Sequence, residues 1–261
     1  MNCIEMARPS TSLELLVARV SGRADQRTRR RVYDEKNGSV TMIKSYARIA
    51  GQPYAQLRRL VAEKLFERRF GVQTAGRVLL DDLGLATQDR VYYAPASWLT
   101  LRRALSRREV TECDVFIDFG SGMGRMVLEA ATYPFKRVIG VELAVQLHDI
   151  ARGNIDRNRH RLRCKDIVLV QSDVMDYEIP DDVTVVFFAN PFRNQVFATV
   201  VQRLLDSIER VPRVVRVIYY NPVEDSFLMG TGRFLPLKTI PRLRSGQGWS
   251  PWGVTRIYMI T

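Results

Sequence analysis

A glycine-rich turn with an internal carboxylate is the part of the sequence whose residue types best suit ligand chemistry. The segment Asp118–Gly124 reads Asp-Phe-Gly-Ser-Gly-Met-Gly and follows the apolar run Val115–Ile117. Glycines allow a sharp turn and let a ligand approach the backbone, and a helix that starts directly after such a turn presents free N–H groups. The turn alone leaves three interpretations open, which are a dinucleotide, a nucleoside and no ligand.

Three features of the surrounding sequence narrow this choice. The dinucleotide fingerprint requires Gly or Ala three residues after its second glycine, and Arg125 stands there. Asp118 would repel a pyrophosphate but suits a ligand with a cationic amino group. Glu142 ends the next apolar run, 24 residues after Asp118, where a carboxylate can accept hydrogen bonds from both ribose hydroxyls. Asp173, at the end of the third run, is placed to meet an adenine amino group.

Two Asn-Pro segments end further apolar runs at what we expect to be the same sheet edge. Asn190-Pro191-Phe192 follows the run 183–188, and Tyr219-Tyr220-Asn221-Pro222 ends the run 214–220. Polar side chains at these places could face a second substrate. Turn formation and core packing explain the same residues equally well, so both interpretations stay open.

The elements that must position these residues alternate between short apolar runs and amphipathic helices. This alternation is typical of an α/β fold with a doubly wound, mostly parallel sheet. At the C-terminus, Phe234–Ile240 and Val254–Ile260 have only a loop between them, which predicts an antiparallel hairpin. Helical patterns at 12–22, from 52 onward and at 96–108 predict an N-terminal helical extension. We therefore divide the chain into an extension, 1–90, and a ligand-binding domain, 91–261.

The series 115–124, 138–142, 170–173 and 190–192 resembles class I (Rossmann-like) S-adenosylmethionine-dependent methyltransferases over roughly residues 90–261. The resemblance implies a seven-stranded sheet, S-adenosyl-L-methionine as the cofactor and no metal. It also implies that a tyrosine-containing segment before the first strand covers the cofactor. The cofactor-binding residues expected on this basis are Tyr93, Asp118, Gly120, Ser121, Gly122, Gly124, Glu142, Asp173, Val174 and Asn190.

The catalytic residues expected from the resemblance are Asn190 and Tyr219. Asn190-Pro191-Phe192 is similar to the motif of amino-group methyltransferases, in which Asn or Asp precedes Pro-Pro and an aromatic residue. The second proline is absent here, which leaves the choice between a nitrogen and an oxygen acceptor open. Among families with a tyrosine before the first strand, the strongest likeness is to the non-SET histone lysine methyltransferases.

The function expected at this stage is methyl transfer to N or O of a small molecule or peptide, in natural-product biosynthesis, with the N-terminal extension as a lid. One alternative is a methyltransferase that acts on nucleic acid or on protein lysine. The other is a non-catalytic adenosyl-binding module, against which the retained glycines and Glu142 argue. The oligomeric state is not predicted.

Charge is distributed unevenly along the chain. Residues 1–110 hold 21 Lys/Arg and 11 Asp/Glu, whereas residues 111–261 hold 19 and 17, within a total net charge of +12. A basic face could attract nucleic acid or another anionic partner. We favour the simpler interpretation of a solvated, arginine-rich surface, so nucleic acid is not the preferred partner.

The remaining composition excludes several classes of protein. No apolar run is long enough to cross a membrane, and no signal peptide is expected at the N-terminus. Only two histidines are present and no Cys/His cluster has zinc-ligand spacing. Three widely spaced cysteines argue against a disulfide framework and predict a reducing, cytoplasmic location.

Overall fold

The computed structural model describes residues 61, 64–72, 74–75, 78, 85, 89, 93–241 and 253–260. All of them belong to one compact unit, Gln52–Thr261. The helix expected at 12–22 and most of the 1–90 extension lie outside the described residues.

The centre of the fold is a seven-stranded mixed sheet with the order β3-β2-β1-β4-β5-β7-β6. Strands β1 to β5 are parallel, and β7 runs antiparallel between β5 and β6. This confirms the doubly wound, mostly parallel sheet and its C-terminal antiparallel hairpin. The strands are β1 Val115–Phe119, β2 Arg137–Glu142, β3 Asp166–Gln171, β4 Val185–Phe188, β5 Val215–Tyr220, β6 Leu235–Ile240 and β7 Thr255–Ile260.

Helices connect the strands and cover both faces of the sheet. The described α-helices with defined bounds are α1 Leu99–Ala104, α2 Arg125–Ala130, α3 Val145–Asn158, α4 Asn194–Arg210 and α5 Asp225–Gly230. Short 3-10 helices span Arg107–Glu109 and Arg159–Arg161, and residues 64–70 are helical.

The helix expected at 96–108 is shorter than the sequence pattern indicated. It ends at Ala104 because Ser106 starts a new turn, in which its side chain accepts from the Arg108 amide and Glu109 accepts from the Ser106 amide. Such a capping box favours a fresh helix start over continuation. The inward residues are nevertheless as expected, since Trp98 and Leu101 are fully buried.

Alternating side chains of the central strands build two apolar layers. In β1, Phe116 belongs to the layer under α1, α2 and α3, whereas Ile117 and Phe119 belong to the layer under α4. Strand β3 is more exposed than a central parallel strand because it lies at the sheet edge. The sheet is thereby fixed on both faces, and the carboxyl ends of β1, β2 and β4 open on one side.

Three further expectations concern cysteines, membranes and metals. Cys164 is a free, buried thiol, and the reducing compartment inferred from the cysteine count stays a prediction. No helix within the described residues is long and apolar enough to cross a membrane. In the same part of the chain, no group of His, Cys, Asp and Glu has an arrangement that could hold a metal ion.

Candidate functional site

The glycine turn follows β1 and is packed too closely for larger residues. Gly120, Gly122 and Gly124 have φ values of +72°, +54° and +80°, a region that other residues rarely adopt. A Cβ on Gly120 would lie 2.3 Å from Cβ of Pro191, and one on Gly122 would lie 2.1 Å from Cε2 of Tyr93. The three glycines are therefore required by both backbone conformation and space.

A cavity lies beside this turn, beyond the carboxyl ends of β1, β2 and β4. Its walls come from the turn, the ends of these strands and the segment 93–96 that precedes α1. Gly122 and Gly124, which were also expected to bind the cofactor, are not among its lining residues. Eight of the residues expected to bind cofactor line the cavity, namely Tyr93, Asp118, Gly120, Ser121, Glu142, Asp173, Val174 and Asn190.

Glu142 joins the end of β2 to the glycine turn. Its Oε2 accepts from the Gly122 amide at 2.7 Å, and its Oε1 accepts from the Ala144 amide at 2.9 Å. Burial raises the pKa of this carboxyl, and the backbone donors partly oppose that effect. Each oxygen retains a second lone pair, so the side chain can still accept hydrogen bonds from a ligand.

Three buried acceptors are left without a hydrogen-bond partner among the described residues. They are Oδ1 of Asp118, Oγ of Ser121 and Oδ1 of Asn190, and all three residues line the cavity. Burial, with a smaller contribution from Glu142, raises the pKa of Asp118 well above its usual range. Because unpaired buried polar atoms are rare and costly, their convergence indicates a ligand that brings hydrogen-bond donors.

Tyr93 lies over the glycine turn. Its hydroxyl donates to the Thr74 carbonyl at 2.9 Å, and its backbone pairs with Val78 in an isolated antiparallel bridge. Its ring is the nearest neighbour of Gly122, and burial raises the pKa of the phenol. The segment before β1 thus covers the turn, and the expectation that it covers the cofactor stays a prediction.

Arg125, whose position in the sequence excludes a dinucleotide, is buried at this site and joins the helix α2 to segments that precede β1. Its Nε donates to Thr74 Oγ1 at 2.8 Å, its Nη1 to the Ala96 carbonyl at 2.9 Å and its Nη2 to Glu67 Oε1 at 3.3 Å. The guanidinium also stacks on Trp98. A lone charge in the first turn of a wholly buried helix was the signal that could have indicated this role.

Asn190 begins a loop held in an unusual conformation. It is 4% exposed and has φ +57°, and Asn194 has φ +49°. Asn194 donates from Nδ2 to Asp89 Oδ1 at 2.7 Å and from its amide to Glu224 Oε1 at 3.0 Å. We call residues 190–194 the acceptor loop. Its C-terminal end is fixed by two carboxylates from separate parts of the chain.

Tyr219, which was expected to be catalytic, is not among the residues that line the cavity. Its side chain is fully buried in the layer under α4, stacked on Phe197 and in edge contact with Phe188. Its hydroxyl accepts from the Glu224 amide at 3.3 Å. The structure thus gives Tyr219 a packing role, and its catalytic role stays a prediction.

Comparisons with known proteins agree with this geometry. The family described as "Histone methylation protein DOT1" matches residues 89–222, just over half of the chain. No curated protein sequence matches the chain.

Solved structures of similar fold include several methyltransferases. A tRNA methyltransferase of M. jannaschii is 16% identical over 66% of this chain with a TM-score of 0.46, and the match spans 51% of that protein, about half its length. An RNA methyltransferase of Salinibacter ruber, solved with S-adenosyl-L-homocysteine, is 23% identical over 64% of this chain and 92% of its own, with a TM-score of 0.41. Precorrin 8W decarboxylase of Methanobacterium thermoautotrophicum is 17% identical over 65% and 92%, with a TM-score of 0.46.

Proposed function

Given that the chain belongs to the DOT1 family, and is thus an S-adenosylmethionine-dependent methyltransferase, we propose that it methylates the side-chain amine of a lysine in a protein. The observation that carries this proposal is the unpaired, buried Oδ1 of Asn190 in the cavity wall. A carbonyl-type oxygen accepts hydrogen bonds only. It therefore suits an acceptor that presents an N–H, which an amine does.

The cofactor half of the cavity is assigned to the residues that the sequence indicated. When bound, S-adenosylmethionine supplies a methyl group activated by its positive sulfur. The Asp118 carboxylate and Ser121 Oγ offer acceptors for a cationic amino group, and Glu142 offers its remaining lone pairs to ribose hydroxyls. Asp173 and Val174, at the end of β3, are assigned to the adenine. The two buried carboxylates in the cavity, Asp118 and Glu142, fit such a ligand.

The acceptor half is assigned to Asn190 and its apolar neighbours. A lysine amine attacks only in its neutral form, and its usual pKa of about 10.4 keeps it charged in water. Pro191, Phe192 and Val196 line the cavity beside Asn190, and an apolar wall disfavours the charged form of an amine. Asn190 then holds the neutral nitrogen by accepting one N–H, so the protein mainly aligns and desolvates the reactants.

The division into an extension, 1–90, and a domain, 91–261, is part of the proposal, with the extension as a lid. Its support is that Glu67 and Thr74 bond to Arg125, and that Tyr93 covers the glycine turn. Removal of residues 1–60 leaves these contacts in place. We therefore expect cofactor binding, measured by calorimetry, to persist in that truncation. A fall in turnover, measured by transfer of labelled methyl, would place the lid within residues 1–60, and unchanged turnover would contradict that.

The test is transfer of labelled methyl from S-adenosylmethionine to a panel of acceptors, with products located by mass spectrometry. The panel contains core histones, the same histones with acetylated lysines, total RNA and a small-molecule extract. We expect label on lysine that acetylation abolishes. Label confined to RNA would replace the lysine proposal with a nucleic-acid substrate. Label confined to small molecules would replace it with the substrate class expected for natural-product biosynthesis.

Asn190 is tested by Asn190→Gly, because glycine keeps the positive φ while the side-chain oxygen is removed. We expect methyl transfer to fall by about two to three orders of magnitude, on the scale of removing one aligned polar group from a reacting centre, with cofactor affinity retained. The matched control is Asn221→Gly, also at a positive φ before a proline and after a strand. Full activity of Asn190→Gly would mean that the segment is only a turn.

A further inference from the structure

A buried ion pair joins the start of helix α2 to the segment before β1. Arg125 is the first residue of α2, and its Nη2 lies 3.3 Å from Glu67 Oε1. A cation at the start of a helix is opposed by the helix dipole, and a charge away from water is costly unless it is paired. Because apolar residues often stabilise a fold as well as a buried ion pair does, packing alone does not account for this pair.

Thr74 connects the ion pair to Tyr93, the residue that covers the glycine turn. The Thr74 amide and hydroxyl donate to Glu67 Oε1 at 2.8 and 3.1 Å, and the hydroxyl oxygen accepts from Arg125 Nε at 2.8 Å. The Thr74 carbonyl accepts from the Tyr93 hydroxyl at 2.9 Å. Thr74 is fully buried, and all of its polar groups are bonded to these three partners. The four residues therefore form one continuous network.

Both ends of this network meet the glycine turn. At one end, Arg125 directly follows Gly124 in the chain. At the other end, the Tyr93 ring packs on Gly122, where a Cβ would lie 2.1 Å from the ring. The Gly122 amide donates to Glu142, the carboxylate assigned to the ribose. The network therefore braces the turn from the start of α2 to its cover, and Tyr93 and Arg125 both line the cavity.

The Tyr93 hydroxyl lies within electrostatic reach of the ion pair and of the acids that face the cavity. Burial is the main cause of the raised pKa of this phenol. The Arg125 guanidinium opposes the shift, whereas the Asp118 and Glu142 carboxylates add to it. Because water screens charges strongly, a displaced Tyr93 ring that admits water here would weaken the interaction of both acids with a ligand.

A second ion pair on α2 has no such connection. Glu129 is fully buried and accepts through both carboxylate oxygens from Arg102 of α1. Neither residue lines the cavity, and within the part of the chain that the structure describes neither bonds to the glycine turn or to Tyr93. This pair fixes α1 on α2, and it therefore gives a matched reference for Arg125 and Glu67.

We propose that Arg125 and Glu67 are positioning residues of the methyl-transfer reaction, which hold Tyr93 over the glycine turn and thereby keep S-adenosylmethionine in the cavity. They act through Thr74, and neither has to touch the reacting atoms. The inference deepens the proposed function at the cofactor half of the cavity. It rests on S-adenosylmethionine as the methyl donor and not on lysine as the acceptor.

The test is calorimetry with S-adenosylmethionine on the full-length double variant Glu67→Gln, Arg125→Gln, which removes both charges and leaves no lone buried charge. We expect the cofactor Kd to rise about tenfold, on the scale of one lost hydrogen bond to a charged group. Transfer of labelled methyl to the acceptor found in the panel should show the same rise in cofactor KM. The kcat at saturating cofactor should not fall, because the pair acts on the cofactor's retention and not on the transfer itself.

The matched control is the double variant Arg102→Gln, Glu129→Gln, which removes the other ion pair of α2. We expect it to lower the melting temperature but to leave the cofactor Kd unchanged. An equal rise of Kd in the control would assign the effect to general destabilisation. An unchanged Kd in Glu67→Gln, Arg125→Gln would leave that pair a purely structural role. Either result overturns the proposal.

Thr74→Val and Thr74→Ser give a second test that keeps both charges. Valine has the shape of threonine but lacks the hydroxyl that accepts from Arg125, whereas serine retains it. We expect the cofactor Kd to rise in Thr74→Val and to return close to the native value in Thr74→Ser. Equal affinities in these two variants and the native protein would show that the network does not hold the cover. Absence of cofactor binding by the native protein would instead overturn the cofactor assignment together with this proposal.

Discussion

The two halves of the cavity are held in shape by different means. In the cofactor half, the glycine turn and the end of β2 are joined through Glu142 and two backbone amides, all within adjacent elements. In the acceptor half, the acceptor loop is held by the bonds that Asn194 donates to the carboxylates of Asp89 and Glu224. These partners are 105 and 30 residues away from Asn194. The first half is built by local geometry, whereas the second is assembled only after distant segments pack.

This difference has a physical consequence for substitutions. A substitution at the glycine turn places a side chain where packing is close and where the backbone has a conformation that glycine adopts most easily. It should therefore lower the affinity for the cofactor. A substitution in the acceptor half loosens the loop 190–194. It should therefore raise the KM for the methyl acceptor and leave cofactor binding unchanged. Four variants test this contrast.

The largest effect is expected for Gly122→Ala. The new Cβ would meet the Tyr93 ring at 2.1 Å, at a φ of +54°, so the turn or its cover must shift. We expect cofactor affinity to fall about a hundredfold, from a clash and strain of about 3 kcal/mol, measured by calorimetry. The matched control is Gly153→Ala in α3, where the nearest atom is 3.9 Å away. Equal affinities for the two variants would contradict the assignment.

Asp118→Asn should give an intermediate effect that depends on pH. The raised pKa of Asp118 means that the folded, cofactor-free protein holds a proton that the unfolded chain has lost, so stability falls as pH rises from the usual carboxyl range through the raised value. A cationic amino group favours the carboxylate, so cofactor affinity should rise over the same interval. We expect the variant to bind about tenfold more weakly at neutral pH and to flatten both profiles. The melting temperature and the cofactor affinity from calorimetry, each measured against pH, give the two profiles. The slope that remains in the variant is due to Glu142, whose pKa is also raised.

Asn194→Ala should act only on the acceptor half. It removes the bond to Asp89 and places alanine at a positive φ, at a cost of about 1 kcal/mol, so acceptor KM should rise about fivefold with an unchanged cofactor Kd. Asn194→Gly keeps the backbone conformation and should recover part of the loss. Amide hydrogen exchange of residues 190–197 reports the loosening without any acceptor. Equal exchange in both variants and the native protein would show that the loop does not need this bond.

The smallest effect is expected for Tyr219→Phe. The hydroxyl accepts a single bond from the Glu224 amide, so its removal should lower the free energy of unfolding by about 1 kcal/mol. Methyl transfer should change less than about twofold, since that corresponds to under 0.5 kcal/mol. Loss of activity without loss of stability would restore Tyr219 to the reaction.

The same contrast explains what the sequence could predict. The strands, the hairpin and α4 carry strong apolar periodicity, and α4 occupies Asn194–Arg210. The cofactor half follows from residues that end consecutive strands, so Asp118, Glu142 and Asp173 meet by topology alone. Helix α5 was not predicted, since its six residues, Asp225–Gly230, are too few to show a period.

Contacts between distant segments were beyond the sequence argument. Nothing in residues near Asp89 indicates that it bonds to Asn194, and nothing near Arg125 indicates Glu67 as its partner. Position at a strand end does not say which face a side chain takes, and Tyr219 lies in the apolar layer under α4 and not in the cavity wall.

The shared use of Thr74 by Tyr93 and Arg125 has a consequence for the pace of the reaction. The backbone carbonyl of Thr74 accepts from the Tyr93 hydroxyl, and its side chain accepts from Arg125. A movement of the Tyr93 ring away from the turn would therefore also disturb the buried Arg125 guanidinium. Hydrating that charge at each opening is slow compared with rotating an exposed side chain. We expect departure of the spent cofactor to govern the overall speed, with a burst of product in the first cycle.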